Sequence, residues 1–398
     1  MSSYSPGDVL IYDLTLSSPR GSLDLSRMFA TMKVYESIFV PNAIIEIQVF
    51  DVNDALGNLN ICGDETITTT FGAPGGVFPT YTFALDTIQN QTAAGSTKSK
   101  IYFLHGVGVE TMYAKTNFVQ KSYNTTIESI VKDIHFNYLK STKTIITEPT
   151  QGSQNIMIPN YDPFKAIDMV RRRAVSTLNS SSTYVYFENW KGMYFHTIEL
   201  MLNQAPVKYF VHQDSVGNSI YNNTQNNIIS YEVPQIASST DRITLGGLKQ
   251  RVSTYNIRTR QYVYTDVTPP AFGGYNSSAF TQKYGSNYGR VSFIPVDTAA
   301  RPFTSINTMT PNQLAYVGNL MQNQVKARVF GDPSVKAGDV VNLAIPEMMN
   351  VTGNAPLDPQ ISGNFLVTRL CRNIGMSQEK PRYTESLEMI NGALATST

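Results

Sequence analysis

The 398-residue chain has little charge, few cysteines and a single tryptophan. Charged residues make up 15% of it, against about 25% in an ordinary globular protein. The 31 lysines and arginines nearly balance the 30 aspartates and glutamates, which argues against a dedicated binder of nucleic acid or anionic lipid. We therefore expect a largely neutral, polar surface suited to packing against other proteins.

Long apolar runs are also missing. No stretch approaches the roughly 18 apolar residues of a membrane span, and the start of the chain lacks the basic and apolar regions of a signal peptide. We expect no membrane anchor and folding in the cytoplasm. Cys62 and Cys371 are far apart and have no metal-ligand spacing, so we interpret both as reduced, small core residues.

The usual signatures of catalysis are absent. The four histidines have no second histidine or cysteine at a zinc-site spacing, and the chain contains no nucleophile elbow, Walker-type loop or dinucleotide fingerprint. We therefore expect no metal, no cofactor and no catalytic residue. The histidines are His105, His135, His196 and His212, of which His135 flanks a predicted helix and is interpreted as a partly exposed structural residue.

Three weaker candidates remain. Glu46, Asp51, Asp64 and Glu65 could supply the carboxylate pair of a glycosidase. Asp64 and Glu65 are adjacent at a strand entrance, however, and should point to opposite faces. The basic run 171–173 is interpreted as a solvated helix face, with contact to an acidic partner as the alternative. Trp190 is expected to pack on a core, with a sugar platform as the alternative.

Residues 1–115 have a period of two that predicts an antiparallel β-barrel or sandwich. The alternation at residues 45–49 follows a turn at 40–42, which can join it to 32–38 as a hairpin. A mixed α+β insert is predicted for 116–205. It begins with a helical stripe from Ile127 to Tyr138 behind a capping box at 125–128 and has a second helix capped by Asp162. Further strands are predicted at 66–71, 80–85, 100–104, 183–187 and 193–195.

Residues 206–324 read as an irregular β and loop region. It contains strands at 228–233 and 260–265, a long loop at 271–289 and a helix at 311–323 opened by Thr310 and Pro311. A second barrel is predicted for 325–398, joined by strands from 206–265. Its strands lie at 325–330, 340–345, 364–370 and 382–390. A Gly-Asp pair opens a strand in both barrels, which is weak evidence of a repeat.

Taken together, these segments resemble the baseplate hub proteins of contractile-tailed (myovirus) phages and the hub part of injection-system spike proteins. The resemblance covers nearly the whole chain and is poorest over 206–310. It is carried by Tyr35-Glu-Ser-Ile-Phe39, Ile45-Glu-Ile-Gln-Val49, Gly63-Asp-Glu-Thr-Ile67, Thr126-Ile-Glu-Ser-Ile-Val131, Asp162-Pro-Phe-Lys-Ala-Ile167, Val325-Lys-Ala-Arg-Val-Phe-Gly-Asp-Pro333, Val335-Lys-Ala-Gly-Asp-Val-Val-Asn-Leu343 and Phe365-Leu-Val-Thr-Arg369.

The resemblance implies an α+β, mainly β fold with two tail-tube-like antiparallel β-barrel modules and an α+β portion between them. It implies a homotrimer in the virion tail baseplate, assembled in the host cytoplasm. The expected partners are the central spike protein, the tail tube protein and surrounding hub or wedge proteins, with DNA only passing through the channel. The alternatives are the hub part of an injection-system spike, a peptidoglycan-degrading tail protein, or a carbohydrate-binding one using Trp190, Tyr275 and Tyr284.

Overall fold

A computed structural model describes residues 4–52, 61–94, 99–212, 225–235, 250–256, 259–267, 290–296, 323–347, 356–377 and 380–391. Within these ranges the fold is mainly β, as predicted. The helices are α1 (Val109–Thr116), α2 (Ile127–Asp133) with a π-helical continuation at Ile134–Tyr138, α3 (Pro163–Arg171) and α4 (Ile198–Leu202). The strands are β1 (Leu10–Ser18), β2 (Gly21–Asp24), β3 (Phe29–Ser37), β4 (Ile44–Asp51), β5 (Thr66–Gly72), β6 (Thr80–Ala94), β7 (Ser99–Gly108), β8 (Val119–Thr125), β9 (Ile145–Thr147), β10 (Gln154–Tyr161), β11 (Tyr184–Asn189), β12 (Gly192–Thr197), β13 (Lys208–Val211), β14 (Ile228–Gln235), β15 (Gln250–Asn256), β16 (Gln261–Val267), β17 (Arg290–Val296), β18 (Gln324–Phe330), β19 (Val340–Ala344), β20 (Gly363–Ser377) and β21 (Lys380–Ile390).

The alternating sequence of β4 shows why these segments are strands. Ile45, Ile47 and Val49 are fully buried, whereas Glu46 and Gln48 lie on the solvent side. Successive side chains of a strand point to opposite faces, so one face of β4 can enter the core while the other stays wet. The predicted β3–β4 hairpin is present and antiparallel.

Two six-strand arrays have the same strand order within one 13-stranded sheet. The N-terminal array runs β3-β4-β7-β6-β5-β1, and the C-terminal array runs β14-β18-β21-β20-β19-β13. Numbered 1 to 6 along the chain, the strands of both arrays follow the order 2-3-6-5-4-1. The pairing directions agree except at the last pair, where β1 is antiparallel to β5 but β13 is parallel to β19.

Two β-bulges recur at matching positions in the two arrays. The pair of second and third strands is interrupted between Phe29 and Thr31 in one array and between Ile228 and Ser230 in the other. The pair of fifth and sixth strands is interrupted at residues 85–87 and at residues 367–369. Bulges are local insertions that bend a strand, so their recurrence at matching positions supports an internal repeat at residue level.

A backbone hydrogen bond directly before the fourth strand gives the same alignment of the two arrays. The backbone N–H of Leu85 donates to the carbonyl of Glu65 at 3.0 Å, and that of Val367 donates to the carbonyl of Asp339 at 2.9 Å. Glu65 is therefore the counterpart of Asp339. The Gly-Asp dipeptides that first indicated a repeat are offset by one residue, because Asp64 is not the matching position.

A hairpin from the C-terminal array is shared between both arrays. The base of β20, up to Leu366, pairs with β19, whereas residues 369–375 pair with β3. Ile374 and Tyr383, in the distal half of the β20–β21 hairpin, are buried in the core of the N-terminal array. Leu387, nearer the base, belongs to the core of the C-terminal array. The last segment of the chain thus completes the hydrophobic core of the first.

Each array closes into a barrel through a short contact. In the N-terminal array, Asp8 forms a β-bridge to Arg382 near the tip of the shared hairpin. In the C-terminal array, Val211 at the end of β13 forms a β-bridge to Asn227, directly before β14. The Val211 bridge connects the two ends of its array's order, so the C-terminal array curls onto itself. The Asp8 bridge connects the segment before β1 with β21, which adjoins β3 through β20, so the N-terminal array closes through the shared hairpin.

The α+β insert has its own core between α2, α3 and two small sheets, β8–β10 and β9–β12–β11. The predicted cap of α3 is present, since Asp162 Oδ1 accepts from the Lys165 N–H at 3.0 Å and Pro163 opens the helix. Ile167 and Val170 on its inner face are buried. The insert is therefore built by the helix signals that the sequence contains.

The predicted capping box at the start of α2 is wrong. Thr125 ends β8, the N-cap residue is Thr126, and neither side chain caps the helix. Instead, Glu128 Oε2 accepts from the Thr150 N–H at 2.8 Å, while Thr150 Oγ1 accepts from the Glu128 N–H at 3.3 Å. A loop that is distant in sequence therefore supplies the reciprocal pair that a capping box would have supplied locally.

Three other predictions have different outcomes. Of the strands predicted within 206–265, β14 joins the C-terminal array together with β13, but β16 pairs with β15 in a separate three-stranded sheet with β17. Cys62 is exposed and Cys371 is half-buried, so neither is a core residue, and neither forms a disulfide.

The loop predicted at 271–289 and the helix predicted from 311 lie outside the described residues.

Candidate functional site: the junctions between the arrays and the insert

Arg372 of β20 is fully buried where the two arrays meet. Its Nη1 forms an ion pair with Glu385 of β21, and its Nη2 lies 3.5 Å from Glu36 Oε1 of β3. Nε donates to the Tyr81 hydroxyl and Nη1 to the Tyr383 hydroxyl, both at 3.0 Å. Glu36 and Tyr81 belong to the N-terminal array, so this guanidinium joins side chains of both arrays.

Backbone groups complete the cluster. Arg372 Nη2 donates to the Val335 carbonyl at 2.7 Å, and Glu36 Oε2 accepts from the Ala337 N–H at 3.1 Å. Glu36 Oε1 also accepts from the Tyr81 hydroxyl at 2.6 Å. Buried charges are stable only when they are paired and hydrogen-bonded, so this network fixes the relative position of the arrays.

One guanidinium faces two buried carboxyl groups in this cluster. Burial raises the pKa of Glu385 to about 7 although Arg372 opposes the shift. Burial by itself lowers the pKa of Arg372, but the neighbouring tyrosines and glutamates raise it well above its ordinary value. Arg372 therefore stays charged, while Glu385 changes its protonation state near neutral pH.

The positions of the charged residues along their strands indicate that they are buried, although the cluster is not among the predictions from the sequence. Arg372 has the same strand phase as Leu370 and Ile374, and Glu385 has the same phase as Leu387. Because residues two apart share a face of a strand, both charged residues point toward the buried side. A charge in phase with apolar residues indicates a buried ion pair, although it does not identify the partner.

A second charged cluster joins the insert to the N-terminal array. Lys143 Nζ lies 2.8 Å from Glu110 Oε2 and 2.6 Å from Glu188 Oε1. Asn42, in the turn between β3 and β4, donates to Glu188 at 2.8 Å and to Glu110 at 3.2 Å. Burial raises the pKa of Glu188 despite Lys143, whereas Lys143 outweighs burial at Glu110 and lowers its pKa. The same lysine engages both carboxylates and secures the insert.

A cleft of about 440 Å³ borders this cluster and is lined in part by Tyr81, Lys143 and Trp190. Trp190 lies in the β11–β12 turn, packs on the core of the N-terminal array, and donates from Nε1 to the Pro333 carbonyl at 3.0 Å. Its core-packing interpretation is therefore confirmed. Tyr275 and Tyr284, the other aromatic residues considered for sugar binding, lie outside the described residues.

His135 is completely buried, so the prediction of a partly exposed histidine is wrong. Its Nδ1 lies 3.0 Å from the Tyr186 hydroxyl and its Nε2 lies 2.9 Å from the Lys143 carbonyl oxygen. Burial lowers the pKa of His135, which favours the neutral ring. The histidine thus supports the loop that carries Lys143.

The candidate carboxylates do not converge. Asp64 is exposed and Glu65 is buried, as expected for opposite faces, although both contact Arg20. Glu46 lies on the solvent side of β4 and Asp51 is buried at its end. Since β7 and β6 separate β4 from β5, the sheet keeps these two pairs apart.

The basic run was predicted on a helix, but only Arg171 belongs to α3, since Arg172 is the C-cap and Arg173 lies in the following turn. Arg171 and Arg172 both pair with Asp168, and Arg171 Nη1 also donates to the Tyr184 carbonyl at 3.0 Å. Arg172 remains 69% exposed, so the run is solvated at the end of the helix. Within the described ranges no three His, Cys, Asp or Glu side chains are grouped to hold a metal ion, and no helix there is long and apolar enough to cross a membrane.

The outer face of the large sheet carries paired charges beside exposed apolar side chains such as those of Tyr35, Ile44 and Phe50. Lys33 lies 3.3 Å from Glu46 on the N-terminal array. On the C-terminal array, Glu388 lies 3.4 Å from Lys326 and 3.1 Å from Arg369. These opposite charges cancel locally, so the face has little net attraction for a polyanion.

Comparison with known proteins gives matches in structure only. No family model matches the sequence, and no curated protein does. The tail protein of Neisseria meningitidis MC58 matches with a TM-score of 0.61 at 9% identity, over 96% of this chain and 97% of that chain. The fold is that of phage tail proteins.

Two further structures agree. The 43 kDa tail protein of prophage MuSo2 from Shewanella oneidensis matches with a TM-score of 0.56 at 9% identity, over 96% of this chain and 98% of that chain. A chain of the Francisella PdpA-VgrG complex matches with a TM-score of 0.50 at 9% identity, over 98% of this chain and 59% of that chain. At this identity the likeness shows the fold, which confirms the resemblance noted from the sequence at that level.

Proposed function

We propose that this protein is the structural hub of a contractile phage-tail baseplate and has no catalytic role of its own. The observation that carries the proposal is the internal repeat, with two arrays of the same strand order in one chain. The tail-protein fold supports it. In this role the buried Arg372 cluster holds the two arrays in fixed relation, so that a single chain presents two similar surfaces.

The repeat suits an adapter between two symmetries. A sixfold tail tube cannot meet a threefold spike through equivalent contacts. A trimer whose chains each contain two similar barrels would present six such surfaces to the tube and three identical ones to the spike. The α+β insert, present once per chain, would mark the threefold side.

The partners follow from this role. They are two further copies of the chain, the central spike protein, the tail tube protein and surrounding hub or wedge proteins. Likeness to a chain of the PdpA-VgrG complex supports a spike partnership. The locally cancelled charges on the outer sheet face would suit a channel wall that DNA passes without binding. We place the protein in the virion tail after assembly in the host cytoplasm.

The corresponding domain division is a first barrel over 1–115, an insert over 116–205, an irregular region over 206–324 and a second barrel over 325–398. The shared hairpin modifies it, because residues 369–375 pair with β3 and because Ile374 and Tyr383 lie in the core of the first barrel. Separate expression of the two barrels should therefore leave the first without part of its core.

Particle mass tests the proposal. Light scattering of the purified chain, alone and mixed with its spike and tube proteins, should give three copies of the 44.2 kDa chain per particle. Electron micrographs of that particle should show a ring with six similar lobes. A single copy in every mixture, or a closed ring of six identical chains, would overturn the adapter role. A zymogram in which the isolated chain clears cell wall would overturn the non-enzymatic assignment.

A further inference from the structure

The shared hairpin shows how one array docks on another. The fifth strand of the C-terminal array, β20, first pairs with its own fourth strand, β19, and then with the second strand of the other array, β3. Within the second stretch, Asn373 lies directly opposite Lys33. The docking therefore has a defined donor strand, a defined acceptor strand and a known register.

The counterpart of the donor strand is β6. It has the same bulge after Leu85 that β20 has after Val367, and it pairs with its own fourth strand, β5, only over residues 80–84. Beyond that point, residues 89–92 are exposed. In the part of the chain that the structure describes, no strand pairs with this distal edge of β6, although the same stretch of β20 is paired with β3.

The counterpart of the acceptor strand is β14. Its bulge at residues 228–230 matches the bulge at residues 29–31 of β3, and both strands pair on one side with the third strand of their array. On its other side β3 receives β20, whereas β14 is the last strand at its end of the described sheet and meets the end of β13 only around residues 226–228. Ile229, Ser230 and Glu232 are exposed or half-exposed there.

We propose that the distal half of β6 pairs antiparallel with β14 of a second copy of this chain. The pairing reproduces between chains the contact that β20 makes with β3 within a chain. Because donor and acceptor edges lie on different arrays, the contact is head-to-tail and repeats until the ring closes. The inference rests on the proposed trimeric hub and specifies the strands that hold it together.

The register follows from the repeat. Thr92 pairs with Ile101 of β7 as Asn373 pairs with Thr384 of β21, so Thr92 is the counterpart of Asn373. Glu232 pairs with Lys326 as Lys33 pairs with Glu46, so Glu232 is the counterpart of Lys33. Thr92 of one copy should therefore lie opposite Glu232 of the next. Pro234, which has no N–H to donate, limits the paired stretch to residues before it.

The chemistry of the two edges favours this occupant. Soluble proteins usually protect exposed strand edges with charged residues, lysine above all. Residues 86–94 contain one charge, Asp86, and β14 contains one, Glu232; neither segment contains a lysine. Where β20 carries Arg372, β6 has Asn90 and Gln91 in a bulge. The contact between chains would thus bury neutral amides, and a free subunit would carry no unpaired buried charge.

Cysteine cross-linking tests the pairing. In a background whose native cysteines are replaced by serine, Thr92→Cys combined with Glu232→Cys should give a covalent three-chain species on mild oxidation. Residues directly opposite in antiparallel strands bring their Cβ atoms within about 5.5 Å, which is near the distance that a disulfide needs. Asn373→Cys combined with Lys33→Cys is the matched positive control, because it should cross-link within one chain. Each single variant should give no species larger than two chains.

The outcomes separate the strand pairing from the proposed function. If the control pair oxidises and light scattering shows three copies, but the test pair stays single-chain, the strand pairing is wrong and the trimeric hub stands. If both assays show single copies at all protein concentrations, the hub and the pairing both fail. Cross-linking that stops at closed two-chain species would overturn the head-to-tail ring.

Discussion

Replacing Arg372 by methionine should separate the role of the buried cluster from ordinary packing. The change removes the charge and every donor of the guanidinium while an unbranched apolar chain fills much of its volume. Glu385 and Glu36 would then be two buried carboxyl groups without a cation, and the hydroxyls of Tyr81 and Tyr383 would lose the donor that now binds them. The arrays would keep their apolar contacts but lose this link.

The expected cost follows from burial. Arg372, Glu36 and Glu385 have no exposed side-chain surface, and removing one partner of such a pair costs about 3–5 kcal/mol of folding free energy. Arg369, three residues earlier on the same strand, provides the control. Its side chain is 59% exposed and lies 3.1 Å from Glu388, so Arg369→Met should cost less than about 1 kcal/mol.

Urea unfolding of the two variants and the wild type gives the comparison. Fluorescence of Trp190, the single tryptophan, reports on the contact between the insert and the segment before β19, and far-UV circular dichroism reports on the sheets. We expect Arg372→Met to lower the free energy of unfolding by about 3–5 kcal/mol with a wild-type spectrum before the transition. A loss within about 1 kcal/mol of the Arg369→Met value would refute a structural role for the cluster.

Three further predictions follow from the same regions. Burial raises the pKa of Glu385 from 4.5 to about 7. The stability that the protonated carboxyl contributes is therefore complete below pH 4.5 and is lost as the pH rises through 7, by up to roughly 3 kcal/mol of unfolding free energy. Glu385→Gln should flatten this decline in urea titrations at several pH values, and an unchanged slope would contradict the prediction. A Cβ on Gly331 would stand 2.1 Å from Tyr383 Cγ, whereas a Cβ on Gly375 would meet its nearest neighbour at 3.8 Å. Calorimetry should therefore show that Gly331→Ala lowers the free energy of unfolding by about 2 kcal/mol or more and that Gly375→Ala lowers it by less than about 1 kcal/mol. Equal effects of the two variants would refute the close approach of Gly331 to Tyr383. Trp190→Phe removes one hydrogen bond donor and should cost about 1 kcal/mol in unfolding followed by circular dichroism; no change would show that the indole contact is dispensable.

Local pattern in the sequence determined the strands, the helices of the insert and the mainly β class. The alternation in β4 and the Asp162–Pro163 start of α3 each depend on residues within one or two turns of the chain. Such signals depend on local backbone geometry and on which face of a strand or helix a residue occupies. Distant parts of the chain therefore do not change them. They led to the correct β3–β4 hairpin for the same reason.

Errors arose where a distant segment replaced a local partner. His135 was expected at the edge of its helix, but Tyr186 and the Lys143 backbone enclose it. Glu128 was expected to complete a capping box, but it binds Thr150 instead. In each case sequence spacing described the helix correctly and could not show which loop would fold over it.

Tertiary structure alone decided how the two arrays are joined. The sequence places Arg372 on the buried face of its strand, but its partner Glu36 lies more than 300 residues earlier in the chain. The alternation within a strand specifies which of its side chains point inward, but it does not specify which other strand pairs with it. The repeat is hidden for a related reason, because its two copies share strand order, most pairing directions and two bulges while their side chains differ. Only the pairing of strands in the folded sheet places Ile374 and Tyr383 in the core of the N-terminal array.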